Sequence, residues 1–182
     1  MSRLPAYFCA LLMLALSEFV GSPEAATNRD IFLFMSEIQA GSLQSQQYCA
    51  LVFEDHRFHY EKASRRHGRD LDHKIYEGEL SEADWNTLSA VLNANEFRDL
   101  KVSGAVPPLV MQEAHIFTIS VARQGKFQSM EFLDNKSRKP YESQLKPLLQ
   151  WWKSFRGEHM PESGEATDPR CSPDNAHGVY SQ

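Results

Sequence analysis

The first half of the chain alternates apolar and polar positions in a way that predicts a β-hairpin. Residues 48–54 and 57–61 are rich in aromatic and aliphatic side chains and alternate in character, as half-buried strands do. With Asp55 and His56 as a two-residue turn, the more apolar face pairs Phe53 with Phe58, Leu51 with Tyr60 and Cys49 with Lys62. Val52 with His59 and Ala50 with Glu61 then share the other face. Glycine would be usual at position 56 of such a turn.

A third strand and a capped helix are predicted directly after this hairpin. Residues 73–79 have strand character, and Ser81 follows them as a helix N-cap, with acidic side chains at positions 82 and 84. The apolar stripe of this helix consists of Leu80, Leu88, Val91 and Leu92, with Asp84 as its one polar member. The helix should end at residues 93–95, after which Phe97 and Leu100 fold back onto the same core.

The remaining elements are one strand before this region and a hairpin and helix after it. Residues 31–38 begin as a continuous apolar run, which favours a strand over a short helix. Residues 115–133 predict a second hairpin turning at Gln124-Gly125, because glycine accepts a positive φ. Its register pairs Phe117 with Phe132, Ile119 with Met130 and Val121 with Gln128.

A helical stripe follows the second hairpin and closes the domain. Its apolar members recur at helical spacing and are Tyr141, Leu145, Leu148, Leu149, Trp152 and Phe155. Pro147 interrupts the pattern, so the helix either begins there or is kinked there. Gly157 should end it.

The order of these elements is strand, hairpin, strand, helix, hairpin, helix. Helices that follow runs of strands indicate an α+β fold with an antiparallel sheet. We therefore predict a sheet of about five to six strands with two helices packed on one face.

The N-terminal residues resemble an export signal. Arg3 precedes an apolar run over residues 6–14, and Ala15-Leu16-Ser17 offers a small-x-small cleavage site. We predict a signal peptide over residues 1–17, with cleavage as late as residue 26 as the alternative. The mature chain would then be a soluble periplasmic or extracellular protein without a transmembrane segment.

Composition divides the rest of the chain into three parts. Residues 18–30 are predicted to be a disordered linker, residues 31–156 a single α+β domain, and residues 157–182 a disordered polar tail. The net charge of −5, with both signs interspersed, argues against nucleic acid as a partner. The one basic cluster, residues 65–69, reads as a solvated loop.

Two cysteines remain after removal of the signal, Cys49 and Cys171. An even number in an oxidising compartment makes them a candidate disulfide that would pin the tail across the first hairpin. A buried free thiol at Cys49, which faces the core in the predicted register, is the alternative.

Histidine density is the main chemical cue. His56, His59, His67 and His73 lie in the first hairpin and the loop and strand that follow it. His59 and His73 are candidate metal ligands, because they could meet across neighbouring strands beside Glu61 or Glu77. No H-E-x-x-H, G-x-S-x-G, glycine-rich phosphate loop or C-x-x-C motif is present, so we predict neither catalysis nor a cofactor.

Two apolar features outside the predicted core are candidate partner contacts. Residues 105–111 are unusually apolar for a connection and contain Pro107, Pro108, Leu109 and Met111. Trp151 adjoins Trp152, so one of the two indoles should be partly exposed. The alternative for both features is packing at the edge of the core.

The layout resembles a family of exported bacterial domains of unknown function. The similar features are the strand and acidic turn at residues 52–55, Glu-Gly-Glu-Leu-Ser-Glu at residues 77–82, the closure at residues 97–100 and the helix after the Gln124-Gly125 hairpin. The resemblance covers residues 31–155 and departs at His56, where the family has glycine. It implies a bacterial envelope origin and supplies no activity.

These observations favour an exported, non-catalytic binding, adaptor or inhibitor module with an envelope protein as its partner. The open face of the sheet, with His59, Glu61 and Lys74, or residues 105–111 would be its contact surface. The alternatives are a metal- or small-ligand-binding envelope protein that uses the histidines, and an enzyme of unrecognised type.

Overall fold

Six strands form one antiparallel sheet in the computed structural model, which describes residues 31–102 and 114–157. Their order across the sheet is β4-β3-β2-β1-β5-β6, so the first strand of the chain lies inside the sheet between β2 and β5. The strands are β1 Ile31–Ala40, β2 Gln44–Phe53, β3 Arg57–Arg66, β4 Asp72–Glu79, β5 Ala114–Arg123 and β6 Lys126–Phe132.

The helices follow strand pairs, and the predicted α+β class is confirmed. They are α1 Glu82–Asn93, α2 Asn95–Arg98, α3 Asn135–Arg138 and α4 Glu142–Gly157, with a 3₁₀ turn at Lys139–Tyr141 before α4. Ser81 caps α1 by accepting a hydrogen bond from the backbone N–H of Asp84 at 3.2 Å. α4 begins five residues before Pro147, so the proline lies inside the helix and does not start it.

One face of the sheet packs against the helices, and we call it the helix face. Leu33, Met35, Val52, Phe117 and Ile119 of the strands join one hydrophobic cluster with residues of α1, α2 and α4: Leu88, Leu92, Phe97, Leu145, Leu148, Trp152 and Phe155. The predicted closure over residues 97–100 is confirmed. Gln128 secures it by donating to the backbone carbonyls of Phe97, Arg98 and Leu100.

The second hairpin has the predicted register. Phe117 lies opposite Phe132, Ile119 opposite Met130 and Val121 opposite Gln128. Gln124 and Gly125 both have positive φ, 49° and 80°, and these values match the right-handed twist of the flanking strands.

The first hairpin is shifted by one residue from the predicted register. Glu54, Asp55 and His56 form a three-residue turn, in which the N–H of His56 donates to the carbonyl of Phe53 at 3.1 Å and His56 takes a φ of +70°. The observed pairs are therefore Val52 with Phe58, Leu51 with His59, Ala50 with Tyr60, Cys49 with Glu61 and Tyr48 with Lys62. The predicted register is wrong because a three-residue loop with a left-handed third residue replaces the two-residue turn.

This shift gives the sheet a second apolar face, on the side away from the helices. A separate cluster there consists of Ile31, Phe34, Cys49, Leu51 and Phe53, which are only 1–6% exposed, with Phe127 packed against it. We call the surface formed by these residues together with His59 and Glu61 the second face. His59 and Glu61 are also buried, so the expectation of an open contact face around them is wrong. Lys74 lies opposite Lys62, on the helix face.

None of the helices in the described ranges is long and apolar enough to cross a membrane.

The strained position in the second hairpin predicts a stabilising substitution. Gln124 carries a positive φ on an exposed side chain, a conformation that asparagine adopts far more readily than glutamine. Gln124→Asn should raise the free energy of unfolding by about 0.5–1 kcal/mol, because Asn-Gly is the favoured pair for this turn. Urea unfolding of the two proteins measures the difference, and an unchanged or lower midpoint would contradict it.

Candidate functional site

A groove lies between the helices on the outer side of the helical layer. It encloses about 630 Å³ and is lined by residues of α1, α2, α4 and the α1–α2 junction: Ala90, Val91, Ala94, Glu96, Phe97, Ser143, Gln144 and Pro147. Its lining is mostly apolar, and polar groups are few. Among the described lining residues, Glu96 is the one charged side chain.

The sequence explains why this groove is open. Ala90 and Ala94 stand one turn apart at the end of α1, and their methyl groups are too small to fill the space toward α4. Phe97 is 1% exposed and belongs to the hydrophobic core beneath the groove. No feature of the hydrophobic pattern indicates this groove, because its lining residues alternate between core stripe and solvent.

A buried carboxylate, Glu37, joins the sheet to α4. Its Oε1 accepts hydrogen bonds from Gln39 Nε2 at 2.7 Å and His115 Nε2 at 2.9 Å. Its Oε2 accepts from Trp152 Nε1 at 3.0 Å and from the Arg156 guanidinium at 2.6 Å. The residue is 6% exposed, so four donors on three elements replace the water that a carboxylate needs.

These contacts hold Glu37 in its charged form. Burial by itself raises the pKa of Glu37, but the hydrogen bonds from Trp152, His115 and Gln39 and the charge of Arg156 outweigh it, and the pKa is lowered below its ordinary value. Arg156 also lies over the ring of Tyr48, 4.4 Å from its centroid. A carboxylate with four donors has no accessible lone pair for a substrate, so this cluster fastens α4 to the sheet.

A second network, of which His59 and Glu61 are buried, lies on the second face where β3 and β4 meet. His59 Nε2 is 2.7 Å from Glu61 Oε1, and His59 Nδ1 is 2.9 Å from Glu77 Oε1. His73 Nε2 is 2.9 Å from the other oxygen of Glu61. The predicted approach of His59 and His73 beside Glu61 and Glu77 is therefore observed in these distances.

The chemistry of this network favours a proton at His59. Burial lowers the pKa of His59, but the hydrogen bonds that its ring donates to Glu61 and Glu77 outweigh it, and the pKa is raised above its ordinary value. A carboxylate faces each ring nitrogen, which suits an imidazolium, and an imidazolium has no lone pair for a metal. Within residues 31–102 and 114–157, no group of three or more histidine, cysteine or acidic side chains is placed to hold a metal ion. Metal binding by His59 and His73 stays a prediction without support from these contacts.

The other two histidines of the predicted cluster lie apart from this network. His56 is at the first turn, where its ring stacks on Trp85 with centroids 4.2 Å apart. The side chain of His67 is exposed, and its backbone N–H donates to the carbonyl of Leu43.

The structure describes only some of the residues that were predicted to contact a partner or to form a disulfide. Trp151 is 8% exposed and stacks on Phe155 at 5.0 Å, and Trp152 is 1% exposed, so neither indole is the partly exposed anchor that we expected. Pro107, Pro108, Leu109 and Met111 lie outside the described residues. Cys49 is buried on the second face, and Cys171 also lies outside the described residues, so their pairing stays a prediction.

Comparison with known proteins adds no assignment to this geometry: no family model matches the chain, and no curated protein matches it.

Proposed function

We propose that this chain is an exported, non-catalytic binding module of the bacterial envelope that holds an apolar, basic peptide segment of a partner protein in the groove between α1, α2 and α4. The groove itself is the observation that carries the proposal. The N-terminal signal pattern and the resemblance to exported domains support the location, and the lack of catalytic motifs in the sequence supports a binding role.

The size and lining of the groove suit an apolar segment. Its volume of about 630 Å³ lies within the range of roughly 300–1,000 Å³ that is typical of ligand sites. Ala90, Val91, Phe97 and Pro147 offer apolar contact surface to whatever enters. Removing apolar side chains of a partner from water against such a lining provides the driving force for binding.

The rim of the groove determines which partner chemistry it favours. Glu96 contributes a negative charge, and Ser143 and Gln144 add polar groups that accept hydrogen bonds. No positive side chain balances Glu96 among the described lining residues. A segment that carries a lysine or arginine beside its apolar residues is therefore complementary in charge, and an acidic segment is disfavoured.

Filling the groove should abolish this binding. Ala90 is exposed at the groove, so Ala90→Phe occupies the space at little cost to folding. We expect peptides selected from a random display library against the wild-type domain to combine apolar and basic residues and to bind Ala90→Phe at least about tenfold more weakly, a loss of about 1.4 kcal/mol or more. Fluorescence titration with the selected peptides measures the two affinities.

A matched control is available on the same helix. Ala83 is also exposed and lies two turns before Ala90, about 10 Å away, outside the groove. Ala83→Phe should bind the peptides with wild-type affinity. If the selection yields no binder, or only peptides that bind both variants equally, the groove is not the contact site.

A further inference from the structure

The second face is buried, but none of the described helices covers it. The helix residues that join a hydrophobic cluster all belong to the cluster on the helix face. All the core members of the cluster on the second face lie on β1 and β2, and Phe127 of β6 packs against them. Within residues 31–102 and 114–157, no helix contributes to this cluster. Side chains such as Phe34 and Leu51 are nevertheless only 6% exposed. A covering group must therefore come from another part of the chain, because these exposures belong to the single chain.

A cysteine marks the middle of this surface. Cys49 is 1% exposed. Its neighbours across the strands are Ser36 of β1 and Glu61 of β3. The chain has one further cysteine after the signal region, Cys171. A disulfide between these two cysteines would bring residues 158–182, which contain Cys171, onto the second face.

The path from α4 to this face is short enough for that segment. α4 ends at Gly157, and Arg156 lies over Tyr48, the residue next to Cys49 on β2. The segment would pass from the helical layer around the edge strand β4 and back beneath β2. This route covers about 30 Å, because the layers are about 10 Å apart and β4 is two strand spacings of about 4.8 Å from β2 in each direction. Fourteen residues lead from Gly157 to Cys171. An extended chain of that length reaches about 46 Å.

We propose that residues 158–182 cover the second face and are fixed there by a disulfide between Cys49 and Cys171. Arg170, the one arginine or lysine of residues 158–182, precedes Cys171, and its charge would complement the carboxylates of Glu61 and Glu77 beside His59. Val179 and Tyr180 supply apolar side chains for contact with Phe34 and its neighbours. The proposal concerns the face opposite the groove, so it stands or falls independently of peptide binding there.

The bond forms by thiol–disulfide exchange in an oxidising compartment. The Cys49 and Cys171 thiols lose two protons and two electrons as the new S–S bond forms. The disulfide of a thiol–disulfide oxidoreductase accepts them, and its own S–S bond breaks to give two thiols.

Peptide mapping under non-reducing conditions tests the bond. The full-length exported protein is purified without reductant, its free thiols are alkylated, and protease fragments are identified by mass spectrometry. We expect one linked fragment that contains Cys49 and Cys171 of the same chain. Reductant should lower the denaturant midpoint of the wild type and leave Cys171→Ser unchanged. Two alkylated thiols, or a bond between two chains, would overturn the proposal.

Photo-crosslinking of the Cys171→Ser variant tests whether residues 158–182 lie on the second face when the disulfide cannot form. A benzophenone side chain at position 180 should crosslink to β1 or β2 of the second face, with at least about tenfold more product than the same probe at exposed Ala83 of α1. Crosslinks confined to the helices would show that residues 158–182 bind elsewhere and that another group covers the second face.

Discussion

Replacing Glu37 with alanine is expected to lower the free energy of unfolding by about 3 kcal/mol or more, the range for breaking one side of a buried ion pair. The substitution leaves the Arg156 guanidinium, the Trp152 indole N–H and the His115 imidazole without their common acceptor. Arg156 and His115 keep about a quarter of their side-chain surface exposed and can turn to water, so the loss should fall at the lower end of that range. Urea unfolding measures it.

Two further variants separate the charge from the packing. Gln39→Ala removes one neutral donor from Glu37 and should cost about 1 kcal/mol. Glu37→Leu combined with Arg156→Met replaces the ion pair with apolar groups and should cost less than the sum of the single changes. Additive costs would show that the two charged groups do not act as a pair.

The pH dependence of this effect has a definite sign. The folded-state pKa of Glu37 is lowered from its ordinary value of 4.5, so the unfolded chain takes up a proton first as the pH falls. The stabilisation is therefore complete well above pH 4.5 and is lost as the pH falls through the folded-state pKa. Glu37→Gln should remove that part of the acid sensitivity.

The two hairpins show how far local sequence determines strand register. Gln124-Gly125 has the glycine that a two-residue turn requires, and the register predicted from it is confirmed. The first turn has no glycine, and His56 takes the left-handed conformation as the last of three turn residues. One added turn residue changes which side chains of β2 and β3 share a face. The second apolar face was therefore not predicted from the sequence.

The networks around His59 and Glu37 also differ in how far local sequence predicts their contacts. His59, Glu61, His73 and Glu77 lie on adjacent strands joined by one short loop, so their approach could be predicted from strand periodicity. Glu37 contacts Trp152 and Arg156, which are more than a hundred residues away on another element. A glutamate within the apolar run of β1 was the available signal, and only the packing of α4 on the sheet adds Trp152 and Arg156 to its strand partners Gln39 and His115.

Replacing His59 with leucine should cost about 3 kcal/mol in free energy of unfolding, because the buried carboxylate of Glu61 then loses the imidazole nitrogen that lies 2.7 Å from its Oε1. Glu77 contributes less, since 47% of its side chain is exposed and water screens it. Adding Glu61→Gln to His59→Leu removes the buried carboxylate charge that no longer faces His59 and should restore part of the loss. His73→Ala, at a side chain that is 29% exposed, should cost only about 1 kcal/mol.

The pH dependence at His59 runs opposite to that at Glu37 and provides the sharper test of the network. Because the folded-state pKa of His59 is raised above its ordinary value of 6.5, the folded protein holds the proton more tightly than the unfolded chain. Its stabilisation is complete below pH 6.5 and is lost as the pH rises through the folded-state pKa. Urea unfolding of wild type and His59→Leu from about pH 6 to about pH 9 should show their difference shrinking. A constant difference would mean that His59 stabilises the second face as a neutral side chain and that the two carboxylates do not hold its proton.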